Sequence, residues 1–169
     1  MKLLLTREEV RVGVERLAGE ISRDYSGQSP LLIAPLKGSF IFLADLVRLL
    51  ALPVEVDFVQ LSSYGLGTEN GGRVRLRRGL TAPVSGRSVL VIEDIVDTGL
   101  TLAYLINYLK KRRPTSLKVC TLFDKPERRQ VAVPIDYKGF TVPNQFLVGY
   151  GLDCGEKYRQ LPDLWILES

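Results

Sequence analysis

Asp97-Thr98-Gly99-Leu100-Thr101 places an acid, two hydroxyls and a glycine side by side, just downstream of the acidic pair Glu93-Asp94. Hydroxyls and unpaired amides at the start of a helix bind anions, phosphate above all. Carboxylates beside them accept hydrogen bonds from a sugar, ligate a hard cation or take a proton. The mixture suits a phosphorylated sugar with a bound Mg²⁺. Further groups able to join such a site are Lys37-Gly38, Ser63-Tyr64, Lys125, Asp153 and Arg159. Phe146 is either a core residue or a flat surface on which a ring stacks. The chain contains no histidine, which removes a histidine base, a Ser-His-Asp triad and a histidine metal site. Neither the G-x-x-x-x-G-K-[ST] pattern nor a dinucleotide glycine fingerprint is present.

These groups need elements to hold them. Val89-Leu90-Val91-Ile92 is an unbroken apolar run and predicts a strand buried on both faces. The acids follow it, and a helix is expected from about Thr98 to Arg113, stopped by Pro114, with Leu102, Leu105, Ile106 and Leu109 as its core stripe. Leu31–Leu36 predicts a second buried strand, followed by Lys37-Gly38-Ser39 and a helix from about Phe40 to Leu50. Alone, that tripeptide reads as a plain βα turn. Thr6-Arg7-Glu8-Glu9 fits a capping box that opens a helix carrying Val10, Val14, Leu17, Ala18 and Ile21 on one face. Strands are expected at Pro53–Ser62, Arg73–Arg77 and Ser116–Phe123, with shorter pieces at Phe140–Pro143, Phe146–Tyr150 and Leu161–Leu167. The glycine-rich segment between Ser63-Tyr64 and Arg73 has the composition of a lid over a site or of a disordered hairpin tip. If the sheet is parallel, the chemistry-bearing loops share one edge, where open α/β sheets bind ligands.

The 169 residues fit one domain, and 46% hydrophobic with 25% charged residues is ordinary for a globular protein. No apolar run approaches the length of a membrane span, and Met1–Leu5 is too short for a signal peptide, which points to the cytoplasm. The net charge of +4 suits an anionic small molecule as well as nucleic acid. The basic clusters Arg73–Arg78 and Lys110–Arg113 lack interleaved aromatics, so they read as solvated surface and a helix end rather than a nucleic-acid platform. Cys120 and Cys154 lack metal spacing and read as small core or wall residues.

Glu93-Asp94-Ile95-Val96-Asp97-Thr98-Gly99-Leu100-Thr101 closely resembles the phosphoribosyl pyrophosphate motif of type I phosphoribosyltransferases, in the form of the hypoxanthine-guanine branch. Segments matching that branch follow in order: Leu36-Lys37-Gly38-Ser39, Ser62-Ser63-Tyr64-Gly65, Cys120 to Pro126, Asp136 to Phe140, Val148 to Asp153, and Tyr158 to Pro162. The resemblance implies an α/β fold with a central, mostly parallel sheet flanked by helices. The whole of 1–169 would form one domain, with a core over about 31–135 and a small hood from the N-terminal segment and about 136–169. It implies Mg²⁺-dependent transfer of 5-phosphoribosyl from phosphoribosyl pyrophosphate to N9 of hypoxanthine or guanine. By carry-over, Asp97 meets purine N7 as proton acceptor and Asp97 through Thr101 take the 5′-phosphate. Glu93 and Asp94 hold the ribose, directly or through metal, and Asp153 ligates a second Mg²⁺ beside the purine. Lys37, Gly38 and Arg159 contact pyrophosphate. Lys125 reads the 6-oxo group, Phe146 stacks on the base, the Leu147 backbone reads its edge, and Ser63-Tyr64 belong to the lid. In that family the Leu36–Lys37 peptide can be cis. A homodimer or homotetramer is implied as well.

The sequence departs from the pattern at Ser39, Asn144, Leu147 and Cys154, none of them a catalytic group. Those changes leave the purine preference open. A xanthine-using enzyme, an RNA-binding regulator on the same fold and an inactive interaction protein are the alternatives. Asp97 together with Lys125 and Phe146 argues for the enzyme.

Overall fold

A computed structural model of the chain describes residues 1–64 and 73–168, excepting the side chains of Ser63, Tyr64 and Arg73. The expected glycine-rich lid segment falls outside the described residues.

The capping box forms as the sequence requires. Thr6 Oγ1 accepts from Glu9 N at 3.2 Å and the Glu9 carboxylate accepts from Thr6 N at 2.8 Å, opening helix α1, Arg7–Asp24. Its stripe Val10, Val14, Leu17, Ala18 and Ile21 is buried. Two further helices are α2, Phe40–Leu49, and α3, Leu100–Lys110. The main sheet contains β2 (Leu31–Leu36), β3 (Glu55–Tyr64), β4 (Arg73–Arg78), β5 (Ser88–Val96), β6 (Ser116–Asp124) and β7 (Tyr137–Thr141), in the order β4-β3-β2-β5-β6-β7. Every neighbouring pair is parallel except β3 with the edge strand β4.

The unbroken apolar runs are explained by helices on both faces. Leu32, Ala34, Leu90, Ile92, Cys120 and Leu122 pack toward α1 and α2. Their sequence neighbours Leu31, Ile33, Val89, Val91 and Val119 pack toward α3. The strand following β2 lies on one side of it and the strand following β5 lies on the opposite side. The sheet therefore has its switch point between β2 and β5, and the loops leaving both strands open at the same crevice.

A second, antiparallel sheet joins the two ends of the described chain in the order β1-β9-β8, from β1 (Lys2–Leu5), β8 (Leu147–Val148) and β9 (Leu164–Ile166). Arg7 N donates to Asp163 Oδ1 at 2.7 Å and fixes this sheet to the start of α1.

Several boundaries differ from expectation. β5 continues through Glu93 and Asp94 because its pairing with β6 runs on, Glu93 opposite Thr121 and Val96 opposite Asp124. The acids thus sit on the strand rather than beyond it. α3 starts only at Leu100, since Gly99 is in the left-handed conformation with φ of 85°. β7 begins at Tyr137, earlier than the expected Phe140, and pairs with β6, so it extends the large sheet although it lies in the span expected for the hood. Phe146 lies outside β8, and the final strand is shorter than Leu161–Leu167. Strand β1 was not expected at all.

Candidate active site

At the C-terminal ends of β2 and β5 the chain closes in on itself. The Leu36–Lys37 peptide is cis, and Gly38 brings its backbone against the Asp94 carboxylate. Gly151 presses on the same loop from the other side: a Cβ there would lie 2.2 Å from the Gly38 carbonyl oxygen. Ser39, one of the positions at which the sequence departs from the resembled pattern, is fully buried and donates its hydroxyl to the Pro35 carbonyl. That bond satisfies the extra polar group.

Two adjoining cavities share Gly38, Asp94, Ile95 and Asp97. The first, of about 270 Å³, is lined by the acids of β5 and by Thr98, Gly99 and Thr101. Here the first intrahelical bond of α3 runs from Ala103 N to Gly99 O at 2.8 Å. The amides ahead of it belong to the unpaired helix start, an anion-binding end. Thr98 Oγ1 meets Leu100 N at 3.4 Å, and Leu100 begins the helix. Gly99 is required: a Cβ there would lie 2.9 Å from both Arg129 Cδ and the Val131 carbonyl oxygen.

The second cavity, of about 320 Å³, is lined by Lys125, Phe146, Leu147, Asp153 and Arg159 besides the shared residues. Lys125 is 6% exposed and donates to the Gln145 carbonyl at 2.9 Å. Phe146 is 54% exposed, so its ring is not core. Leu147 is buried in β8. A larger cavity, of about 840 Å³, lies between α1 and α2 and holds none of the acids or threonines of the anion loop.

Burial, reinforced by the charge of Asp94, holds the Glu93 carboxyl well above the usual carboxylate range. Burial raises Asp94 too, against the pull of backbone amides and the Arg159 charge. Burial lowers Lys125, which the charge of Asp97 partly opposes. Asp97 Oδ2 lies 3.8 Å from Lys125 Nζ and Asp97 Oδ1 accepts from Arg128 Nε at 3.1 Å. Arg129 Nε donates to the Asp97 carbonyl at 3.1 Å, and its guanidinium also pairs with Asp124.

Most of the expected residues therefore meet at one crevice. Lys37 lines neither of these two cavities: its Nζ pairs with Glu156 Oε2 at 2.6 Å, beside Arg159. Asp153, expected at a metal, forms an ion pair with Arg159 at 2.9 Å and accepts from Glu156 N at 2.8 Å. Glu93, Asp94 and Asp153 form no common cage, and no group of three metal-binding side chains occurs among the described residues. A hard cation that keeps part of its water shell needs only one or two carboxylates, and the half-buried Asp94 on the cavity wall meets that need. Ser63 and Tyr64 end β3 in the backbone, and their side chains lie outside the described residues. Sequence reasoning did not pick out Arg128, Arg129 or Glu156. Their nearness to Lys125, Asp153 and Arg159 in sequence was the available signal.

A parallel sheet with an anion loop at its switch point and a lysine-acid pair above it defines a nucleotide- or sugar-phosphate-binding α/β protein. The phosphoribosyl transferase domain profile matches residues 3–154. A hypoxanthine-guanine phosphoribosyltransferase of Aquifex aeolicus is 46% identical over 100% of this chain and 96% of its own length. The bifunctional protein TilS/HprT of Listeria innocua is 46% identical over 99% of this chain, which spans only 26% of that relative. The crystal structure of a hypoxanthine-guanine phosphoribosyltransferase from Bacillus anthracis superposes with a TM-score of 0.94 at 45% identity, covering 99% of both chains. The chain belongs to the phosphoribosyltransferase family, in its hypoxanthine-guanine branch.

Proposed function

We propose that the protein is a purine-salvage enzyme that transfers 5-phosphoribosyl from phosphoribosyl pyrophosphate to N9 of hypoxanthine or guanine. The bond from C1′ to the pyrophosphate oxygen breaks, the bond from C1′ to N9 forms, and the purine loses a proton. The products are IMP or GMP and pyrophosphate. Thr98, Thr101 and the amides opening α3 hold the 5′-phosphate. Glu93 and Asp94 hold the ribose hydroxyls. Phe146 offers its exposed ring to the base and the Leu147 backbone reads the base edge. Lys125 donates to the 6-oxo group, and adenine's 6-amino group would face it donor to donor. Asp97 stands where positive charge gathers on the purine and takes its proton from N7. Lys37, Gly38 and Arg159 receive pyrophosphate. Asp94 and Asp153 are the carboxylates suited to Mg²⁺, which when bound neutralises charge on the pyrophosphate leaving group.

Beyond the site, the small β1-β9-β8 sheet serves as a hood and Ser63-Tyr64 as the base of a lid. The protein works in the cytoplasm as a homodimer or homotetramer. No helix among the described residues is long and apolar enough to cross a membrane.

The observation that carries this reading is the approach of Lys125 to Asp97 at 3.8 Å. It joins a loop after β6 to the anion loop after β5, so a purine end and a sugar-phosphate end share one crevice. The test is incubation with phosphoribosyl pyrophosphate, Mg²⁺ and single bases. IMP and GMP are the expected products. Absence of both would overturn the assignment, and XMP formed in preference to them would move the enzyme to xanthine.

A further inference from the structure

Lys37 and Arg159 come from distant parts of the chain and are bridged by a single carboxylate. Glu156 Oε2 lies 2.6 Å from Lys37 Nζ and Glu156 Oε1 lies 3.3 Å from Arg159 Nη2. Each oxygen thus serves a different cation, as two oxygens of a phosphate group would. We propose that Glu156 is an internal stand-in for pyrophosphate, which must leave this bridge before the pyrophosphate group binds and so sets the affinity for it.

The inference rests on the reading that Lys37 and Arg159 receive pyrophosphate. The surroundings are built for such an exchange. Arg159 keeps its place without Glu156, because Nη1 donates to the Gly151 carbonyl at 2.7 Å and Nη2 lies 2.9 Å from Asp153 Oδ1. Its Nε is buried and has no partner among the described residues. Glu156 is the ion-pair partner of Lys37 among the described residues, and once released Lys37 is free to turn. Both members of that pair are well exposed, at 57% and 62% of the side chain, so the bridge is screened and weak. A multiply charged anion outcompetes a single carboxylate there. The backbone of Glu156 stays fixed meanwhile, since its N–H donates to Asp153 Oδ2 at 2.8 Å. The carboxylate therefore moves by side-chain rotation alone.

The experiment is calorimetric titration of the full chain with inorganic pyrophosphate in the presence of Mg²⁺, comparing wild type with Glu156→Gln. This exposed, isosteric change leaves the fold intact, which a thermal melt verifies. The variant is expected to bind pyrophosphate about threefold tighter or more at low salt, with the gain shrinking as salt rises and hypoxanthine binding unaltered. In the Lys37→Ala background the gain from Glu156→Gln is expected to fall, since one of the two bridged cations is gone. Equal or weaker pyrophosphate binding by Glu156→Gln would overturn the stand-in role while leaving the enzyme assignment intact. Wild type that binds neither pyrophosphate nor phosphoribosyl pyrophosphate would overturn both.

Discussion

Gly38 and Asp94 meet so closely that a Cβ on the glycine would lie 1.9 Å from Asp94 Oδ2. The loop after β2 and the acid on β5 are thereby locked together without a side chain between them. Gly38→Ala must push one of the two aside. Because Asp94 is assigned to the ribose, the expected result is a KM for phosphoribosyl pyrophosphate raised at least about tenfold, some 1.4 kcal/mol. The thermal midpoint should fall by only a few degrees, since the change lies at a loop rather than in the core. Steady-state kinetics with a parallel melt checks this; an unaltered KM would mean the contact has no part in binding.

Asp97 is held from three directions: Arg128 at one carboxylate oxygen, Lys125 near the other and Arg129 at its carbonyl. Asp97→Asn preserves the shape and removes the carboxylate assigned as proton acceptor. General-base losses run to about a hundredfold or more in turnover. Binding of phosphoribosyl pyrophosphate is expected to survive, because the loop amides and threonines assigned to the phosphate are unchanged. Single-turnover rates with direct binding measurements separate the two effects, and an unchanged rate would remove Asp97 from the chemistry.

What could be read from the sequence, and what could not, divides along the range of the interactions. The capping box at Thr6 and the stripe from Val10 to Ile21 are local signals, and α1 follows them residue by residue. The runs Leu31–Leu36 and Val89–Ile92 announced two-sided burial because helices cover both faces of the sheet. Strand β1 escaped notice because Leu3 finds its partner in Trp165 at the far end of the chain, a pairing that no local pattern encodes. β5 outran its apolar run because its hydrogen bonds to β6 tolerate acids at the sheet edge. The anion loop was legible from its residue types alone. The contacts of Arg128 with Asp97 and of Glu156 with Lys37 were not, since each arises between loops that only the fold brings together.

Lys125 is the group whose removal should alter selectivity more than rate. Its ammonium is anchored on the Gln145 carbonyl, beside the exposed Phe146 ring. Lys125→Ala removes the donor assigned to a 6-oxo group and, with it, the repulsion proposed for a 6-amino group. A site built to hydrogen-bond a substrate group discriminates strongly through it. The ratio of kcat/KM for hypoxanthine over adenine is expected to fall by about tenfold or more. Competition between the two bases measures that ratio directly, and unaltered selectivity would show that another group reads position six.

Asp57 makes a prediction about stability rather than catalysis. Its carboxylate on β3 accepts from Thr81 N at 2.7 Å, Ala82 N at 2.8 Å and Phe58 N at 2.8 Å. Burial alone would raise the carboxyl, but the amides of Ala82, Phe58 and Thr81 outweigh it and hold the group below its ordinary value. A carboxyl lowered in the folded state binds fewer protons there than in the unfolded chain. Its stabilising contribution is therefore complete above the ordinary carboxylate value of about 3.9, and is lost as pH falls below that value through the folded one. Asp57→Asn replaces one carboxylate oxygen by an NH2 group, so at least one of these three backbone N–H groups loses its acceptor, at a cost of about 1–3 kcal/mol. Urea melts of both proteins should show that gap near neutral pH and a narrower one in acid. A gap that stayed constant across the acid range would mean that the charge on Asp57 contributes nothing to pinning the Thr81–Ala82 turn onto the sheet.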